Sequence, residues 1–144
     1  MFKKAVWATT LVTAVAFASQ ANALILKLDD GANGTYEVDI TDQGVGDSNA
    51  TLGIVSFSGP IGSWVVNVTT GLSKPVLGAG NDADKSTILD LVSVNVSGGT
   101  GSLTIVLEDE DYTSGSTAHF LFNIGGTTDG TVTASAFLDN SSTA

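Results

Sequence analysis

Beyond residue 23 the apolar positions fall into short runs separated by turns rich in Gly, Asn and Asp, and within most runs apolar and polar residues alternate. A period of two places successive side chains on opposite faces of a strand, so these runs predict β-strands with one face toward a core. The first covers residues 24–28 and is closed by Asp29-Asp30-Gly31. In the second, 35–40, Tyr36, Val38 and Ile40 alternate with Thr35, Glu37 and Asp39. A third, 51–57, is expected to end at Gly59-Pro60, since Pro lacks a ladder donor and Gly weakens a strand. A fourth, 63–70, sets Trp64, Val66 and Val68 against Val65, Asn67 and Thr69.

In the fifth run, 87–96, the apolar phase changes, from Leu89 and Leu91 to Val94 and Val96. Such a change predicts a β-bulge or a strand crossing between sheets near Val92-Ser93. After Gly98-Gly99-Thr100-Gly101, residues 102–107 turn Leu103, Ile105 and Leu107 inward. Two more runs follow: 117–124, with Ala118, Phe120, Phe122 and Ile124 inward, and 131–138, with Val132, Ala134, Ala136 and Leu138 inward. The whole reads as one all-β domain over residues 24–138, with a polar tail at 139–144. No helical segment is available for parallel crossovers. The expectation is therefore an antiparallel β-sandwich of about eight strands, jelly-roll or Ig-like.

Residues 1–23 follow a different pattern. Lys3 and Lys4 precede an uncharged apolar stretch from Ala5 to Phe17, and Ala21-Asn22-Ala23 supplies a small-x-small cleavage site. This is the order of regions in a secretory signal peptide, and the stretch is shorter than the about 20 residues that span a bilayer. The expectation is export, with no membrane span left after cleavage. Three lysines and fifteen acids then remain, a side-chain balance of −12 with no arginine. Such a domain repels phosphate backbones, which argues against nucleic acid and anionic membrane surfaces as partners. With no cysteine there are no disulfides, thiolate metal sites or cysteine nucleophiles, and stability must come from packing or bound ions.

Candidate chemistry is sparse. The run Glu108-Asp109-Glu110-Asp111 concentrates repulsion that a hard cation would relieve, which makes Glu108, Asp109 and Asp111 candidate calcium ligands. The competing reading is a solvated loop that ends a strand and blocks edge pairing. Asn81-Asp82-Ala83-Asp84 adds Asp82 and Asp84 as candidates, without the glycine and later Glu of an EF-hand. Asp29-Asp30 reads as an ordinary turn. His119 is the sole histidine and reads as a strand residue, because triads and zinc sites both need partners that nothing here singles out. Trp64 is the one Trp of the mature chain. It is either a core residue or, if exposed, a platform for stacking a sugar ring. Nothing picks out a carboxylate pair for glycoside hydrolysis.

Two stretches resemble secreted PEP-CTERM proteins of Gram-negative bacteria: Ser63-Trp64-Val65-Val66-Asn67-Val68-Thr69-Thr70-Gly71-Leu72-Ser73-Lys74-Pro75, and Leu89-Asp90-Leu91-Val92-Ser93-Val94-Asn95-Val96-Ser97. That family is sorted by a C-terminal tail of Val-Pro-Glu-Pro, an apolar helix and a basic cluster, which the sequence through Ala144 lacks. The resemblance implies an extracellular or outer-surface protein of the biofilm matrix, and neither enzyme activity nor site residues. The functional expectation is a non-enzymatic matrix, structural or adhesive protein; the alternative is a carbohydrate-binding module. Its partners would be extracellular polysaccharide or other matrix proteins, with divalent cations screening its charge. Self-association by strand addition is a further expectation, through a loose N-terminal strand at residues 24–28.

Overall fold

The computed structural model of the chain describes residues 24–77, 88–110, 112 and 121–138. Its first strand, β1 (Ile25–Asp29), pairs antiparallel with β2 (Val38–Thr41) on one side and β6 (Thr104–Glu108) on the other. The register brings inward residues side by side. Ile40 and Leu107 flank Leu26, and Val38 and Ile105 flank Leu28. Leu26 and Leu28 are both fully buried. A strand held on both edges and sealed on one face is not free to exchange, so the loose N-terminal strand expected at 24–28 is corrected: β1 is the centre of its sheet.

The second sheet is an antiparallel meander of β3 (Ile54–Ile61), β4 (Trp64–Leu72) and β5 (Asp90–Gly98). β3 does not stop at Gly59-Pro60. It runs through both, with a register irregularity between Phe57 and Gly59 and Pro60 opposite Val65. Pro is tolerated because β3 lies at a sheet edge, where a missing N–H breaks no central ladder. β4 gains an extra residue at Asn67–Val68 relative to both neighbours. Its buried face therefore changes phase, from Val66 to Thr69 and Gly71. The strict alternation expected along this strand ends at that bulge. β5 carries a compensating irregularity with Ser93 at φ 55°, where the apolar phase change predicts one.

The buried faces of both sheets meet in one cluster. Leu24, Leu26, Leu28 and Ile40 from the first sheet pack with Val55, Ile61 and Val66 from the second, and Phe57, Val96, Leu103, Ile105 and Leu107 close its margin. The sheets approach closely at Gly71, where a Cβ would lie 2.2 Å from Leu107 Cδ1 and 3.1 Å from Val55 Cγ1. Glycine here is a matter of space, not of backbone conformation.

All-β architecture and antiparallel pairing are as expected, and no helix occurs among the described residues. The C-terminal runs differ. Of the run 117–124, residues 117–120 lie outside the described residues; residues 121–124 and 131–138 form no strand, and every residue from 121 to 138 is exposed. Among the described residues there are thus six strands rather than about eight. Alternation records which side chains would share a face. It does not say which edge supplies the hydrogen bonds, and for these residues the sheets described here supply none.

Two substitutions test this core. Gly71→Val forces side-chain volume into the sheet-to-sheet contact and is expected to destabilise by about 1–3 kcal/mol. Thr69→Val removes a buried hydroxyl that has no hydrogen-bond partner and is expected to stabilise by about 1 kcal/mol. Urea unfolding of both variants beside the parent checks the two signs.

Candidate functional site

The acidic run after β6 does not form one cluster. Glu108 ends the strand on the outer face, where Lys27 Nζ lies 2.7 Å from its Oε2. Asp109 turns the other way and is buried. Its Oδ2 accepts from Ser73 Oγ and, at 3.0 Å, from Lys74 Nζ. Lys74 also donates to the Glu110 carbonyl and lies 4.5 Å from the Tyr112 ring centroid. The Tyr112 hydroxyl is 2.6 Å from Ser73 Oγ and donates to the Ile88 carbonyl at 3.4 Å. Burial, with the Asp109 charge adding to it and the Ser73 contact opposing it, holds this phenol protonated well above its usual range. The group ties the ends of β4 and β6 to the start of β5. Alternation cannot reveal it, because its members come from three separate stretches of the chain, at 73–74, 88 and 109–112.

Of the proposed calcium ligands, Glu108 and Asp109 are therefore each engaged by a lysine and point apart, while Asp82, Asp84 and Asp111 lie outside the described residues. So does His119. The described carboxylates that do converge are Asp29, Asp30 and Glu37, whose oxygens lie within 4.8 Å of one another. They are spent on the loop that follows β1. Asp29 accepts the Gly31 amide, Asp30 the Ala32 amide, and Glu37 the Asp30 amide and the Asn33 side chain. Sequence reading identified the Asp29-Asp30 turn but not the return of Glu37, which depends on the path of the loop.

Trp64 is half-buried. A Cβ on Gly99, which has φ 78°, would lie 2.1 Å from its ring, so the Gly99 backbone covers one face of the indole. Its Nε1 is buried without a hydrogen-bond partner. The residue lies outside the buried core cluster, with the Gly99 backbone against its ring.

Asp42 is buried just beyond β2. Its carboxylate accepts the Gly53 amide at 2.6 Å, and its own amide donates to the Leu24 carbonyl at 2.9 Å. One side chain thus pins the crossover between the sheets to the start of β3. Asp47, in the same loop, accepts the amides of Gln43, Asn49 and Ser56, and Ser48 N–H bonds the Ser56 carbonyl. The outer edge of β3 is in this way occupied by its own loop. A shallow open depression lined by Gln43, Asp47 and Asn49 lies there.

The surface that stands out is apolar. Along β5 and its approach, Ile88, Leu89, Leu91 and Val94 are all more than a third exposed. In the segment 121–138, Leu121, Phe122, Ile124, Val132, Phe137 and Leu138 are exposed, Phe137 to 91%. Isolated exposed apolar residues are ordinary, but these ten fall on two short stretches, 88–94 and 121–138. The segment from 121 to 138 carries a single charge, Asp129. The chemistry on offer is backbone hydrogen bonding and apolar burial.

No family model, no curated protein and no solved structure matches this chain.

The Asp42 geometry makes a pH prediction. Burial raises its pKa above the ordinary 3.8, with the charges of Asp47 and Asp109 adding to the rise and hydrogen bonds from the Gly53 and Gln43 amides opposing it. A carboxyl with a raised pKa binds its proton more tightly in the folded state. Its contribution to stability therefore grows as pH falls from neutral toward 3.8. Asp42→Asn keeps an acceptor for Gly53 and removes the charge. It is expected to raise stability at neutral pH and to flatten the dependence between the folded value and 3.8, as measured by urea midpoints across that range.

Proposed function

We propose that this chain is a non-enzymatic extracellular or cell-surface protein with a structural or adhesive role in a biofilm matrix. The observation that carries the reading is the apolar surface of β5 and residues 121–138, which stays exposed on a chain whose core is otherwise closed. A freely diffusing soluble monomer gains nothing from such a surface, whereas a protein that works by contact does. The signal-type N-terminus, the strong acidity and the resemblance to PEP-CTERM proteins support the same setting. In this reading the two sheets are the layers of a β-sandwich of jelly-roll or Ig-like type. The negative charge holds copies apart until salt or divalent cations screen it. Matrix polysaccharide and other matrix proteins are the partners it would meet. Sugar binding through Trp64 is the weaker alternative, because Gly99 covers part of the ring.

Fractionation of producing cells tests the proposal. The expected result is a chain beginning near Leu24 in the medium or the washed matrix, released from the matrix by chelator or by strand-disrupting denaturant. Retention inside the cell with residues 1–23 still attached would overturn it.

A further inference from the structure

We propose that residues 131–138 of one copy add as a strand to the outer edge of β5, which no described strand pairs, in a second copy, so that the protein assembles by strand donation. The inference rests on the structural role proposed above and names its partner: another molecule of this chain.

The donor is a strand without a sheet. Thr131-Val132-Thr133-Ala134-Ser135-Ala136-Phe137-Leu138 alternates, is rich in β-formers and small residues, and carries no charge. It is exposed throughout and belongs to neither sheet. An uncharged alternating segment of eight residues left in water has unpaired backbone groups along both sides and apolar side chains with nothing to cover them. Val132, Phe137 and Leu138 each expose well over half their surface.

The acceptor follows from comparing the four sheet edges. β2 has four residues and carries Asp39. β6 has five and ends on Glu108 in its ion pair with Lys27. β3 is interrupted by its irregularity and by Pro60, and its own loop hydrogen-bonds to Ser56. Short length, charge, Pro and covering loops are the devices that keep an edge from pairing. β5 has nine residues, and from Leu91 to Gly98 none is charged. Among the described residues no strand pairs with its outer edge. Its Leu91, opposite the buried Gly71, faces the core side yet stays more than a third exposed, as it would at the margin of a sheet awaiting one more strand.

Charge favours this pairing over others. Copies with a side-chain balance of −12 repel one another, and the donor and the β5 edge are long stretches that can meet without placing carboxylates in contact. Main-chain hydrogen bonds would supply affinity, and pockets for alternate side chains the register. Because each copy carries both a donor and an acceptor, the contact can run head-to-tail from copy to copy. Where the rotation between copies closes, it gives a ring or a reciprocal dimer, and where it does not, a filament.

The test uses the exported chain at rising concentration and moderate salt, followed by light scattering and electron microscopy. The chain is expected to form oligomers or filaments whose mass grows with concentration. Ala136→Pro removes a ladder donor from a segment outside both sheets, so the fold and its urea midpoint should not change. It should raise the concentration needed for assembly by about tenfold or more. A synthetic peptide of residues 131–138 should cap β5 and block assembly of the parent chain. Since the chain has no cysteine, Ser97→Cys in one tagged copy and Thr133→Cys in another should cross-link only between molecules. A chain that stays monomeric at every concentration, an Ala136→Pro variant that assembles like the parent, or a doubly substituted chain that cross-links only within itself would overturn the inference. A monomer still recovered from the matrix fraction would overturn it while leaving the proposed structural role intact.

Discussion

The fold turns on the approach of Leu107 to Gly71. Leu107 comes from β6, across from Leu26, and Gly71 from β4, across from Val55. At this point the two sheets are so close that no side chain fits on β4. The contact exists only because β4 changes phase at Asn67–Val68. Without the extra residue, the face that carries Trp64 and Val66 would continue to even-numbered positions and Thr70 would face Leu107. The bulge turns Gly71 inward instead. Its cost is a buried Thr69 hydroxyl with no partner, which a strict alternation would have left in solvent.

Two adjoining polar devices hold the sheets in this relation at one end. Asp42 fixes the crossover from β2 to β3 by accepting the Gly53 amide, and beside it the group of Ser73, Lys74, Asp109 and Tyr112, with the Ser73 amide on the Gly53 carbonyl, ties the ends of β4 and β6 to the start of β5. Buried charges are tolerated only when paired or hydrogen-bonded, and here each carboxylate accepts more than one donor. These groups make the domain specific in geometry rather than merely collapsed, in a chain that has no disulfide to do so.

Much of this architecture was legible in the sequence because it follows from periodicity. β1, β2, β4, β5 and β6 fall where alternation places them, and the phase change in 87–96 marks the irregularity at Ser93. What periodicity could not show is anything set by neighbours. Pro60 ends no strand because β3 is an edge. The β4 bulge leaves no mark in an unbroken run of Val, Asn and Thr. Glu37 joins Asp29 and Asp30, and Asp109 parts from Glu108, through loop paths and strand direction rather than spacing. The acidic run looked like one site because four carboxylates are adjacent in sequence, but successive residues at the end of a strand leave on opposite faces. Alternation at 131–138 predicts a strand, but it carries no statement about which edge that strand would join.

Acidity and strand donation suit each other physically. Charge repulsion acts over a Debye length, about 8 Å at physiological ionic strength, and so opposes the approach of two copies before any contact forms. Strand pairing acts only at contact, but there it gains a ladder of backbone bonds and the burial of residues such as Phe137 and Leu138. A chain governed by these two forces stays dispersed where ionic strength is low or copies are few, and joins where salt, divalent cations or crowding in a matrix shorten the range of repulsion. The edges of β2 and β6 keep their charges, so screening exposes one productive contact rather than many. In this proposal the selectivity comes from β5, the one long edge among the described strands without the charge, proline or covering loop that guards the other three.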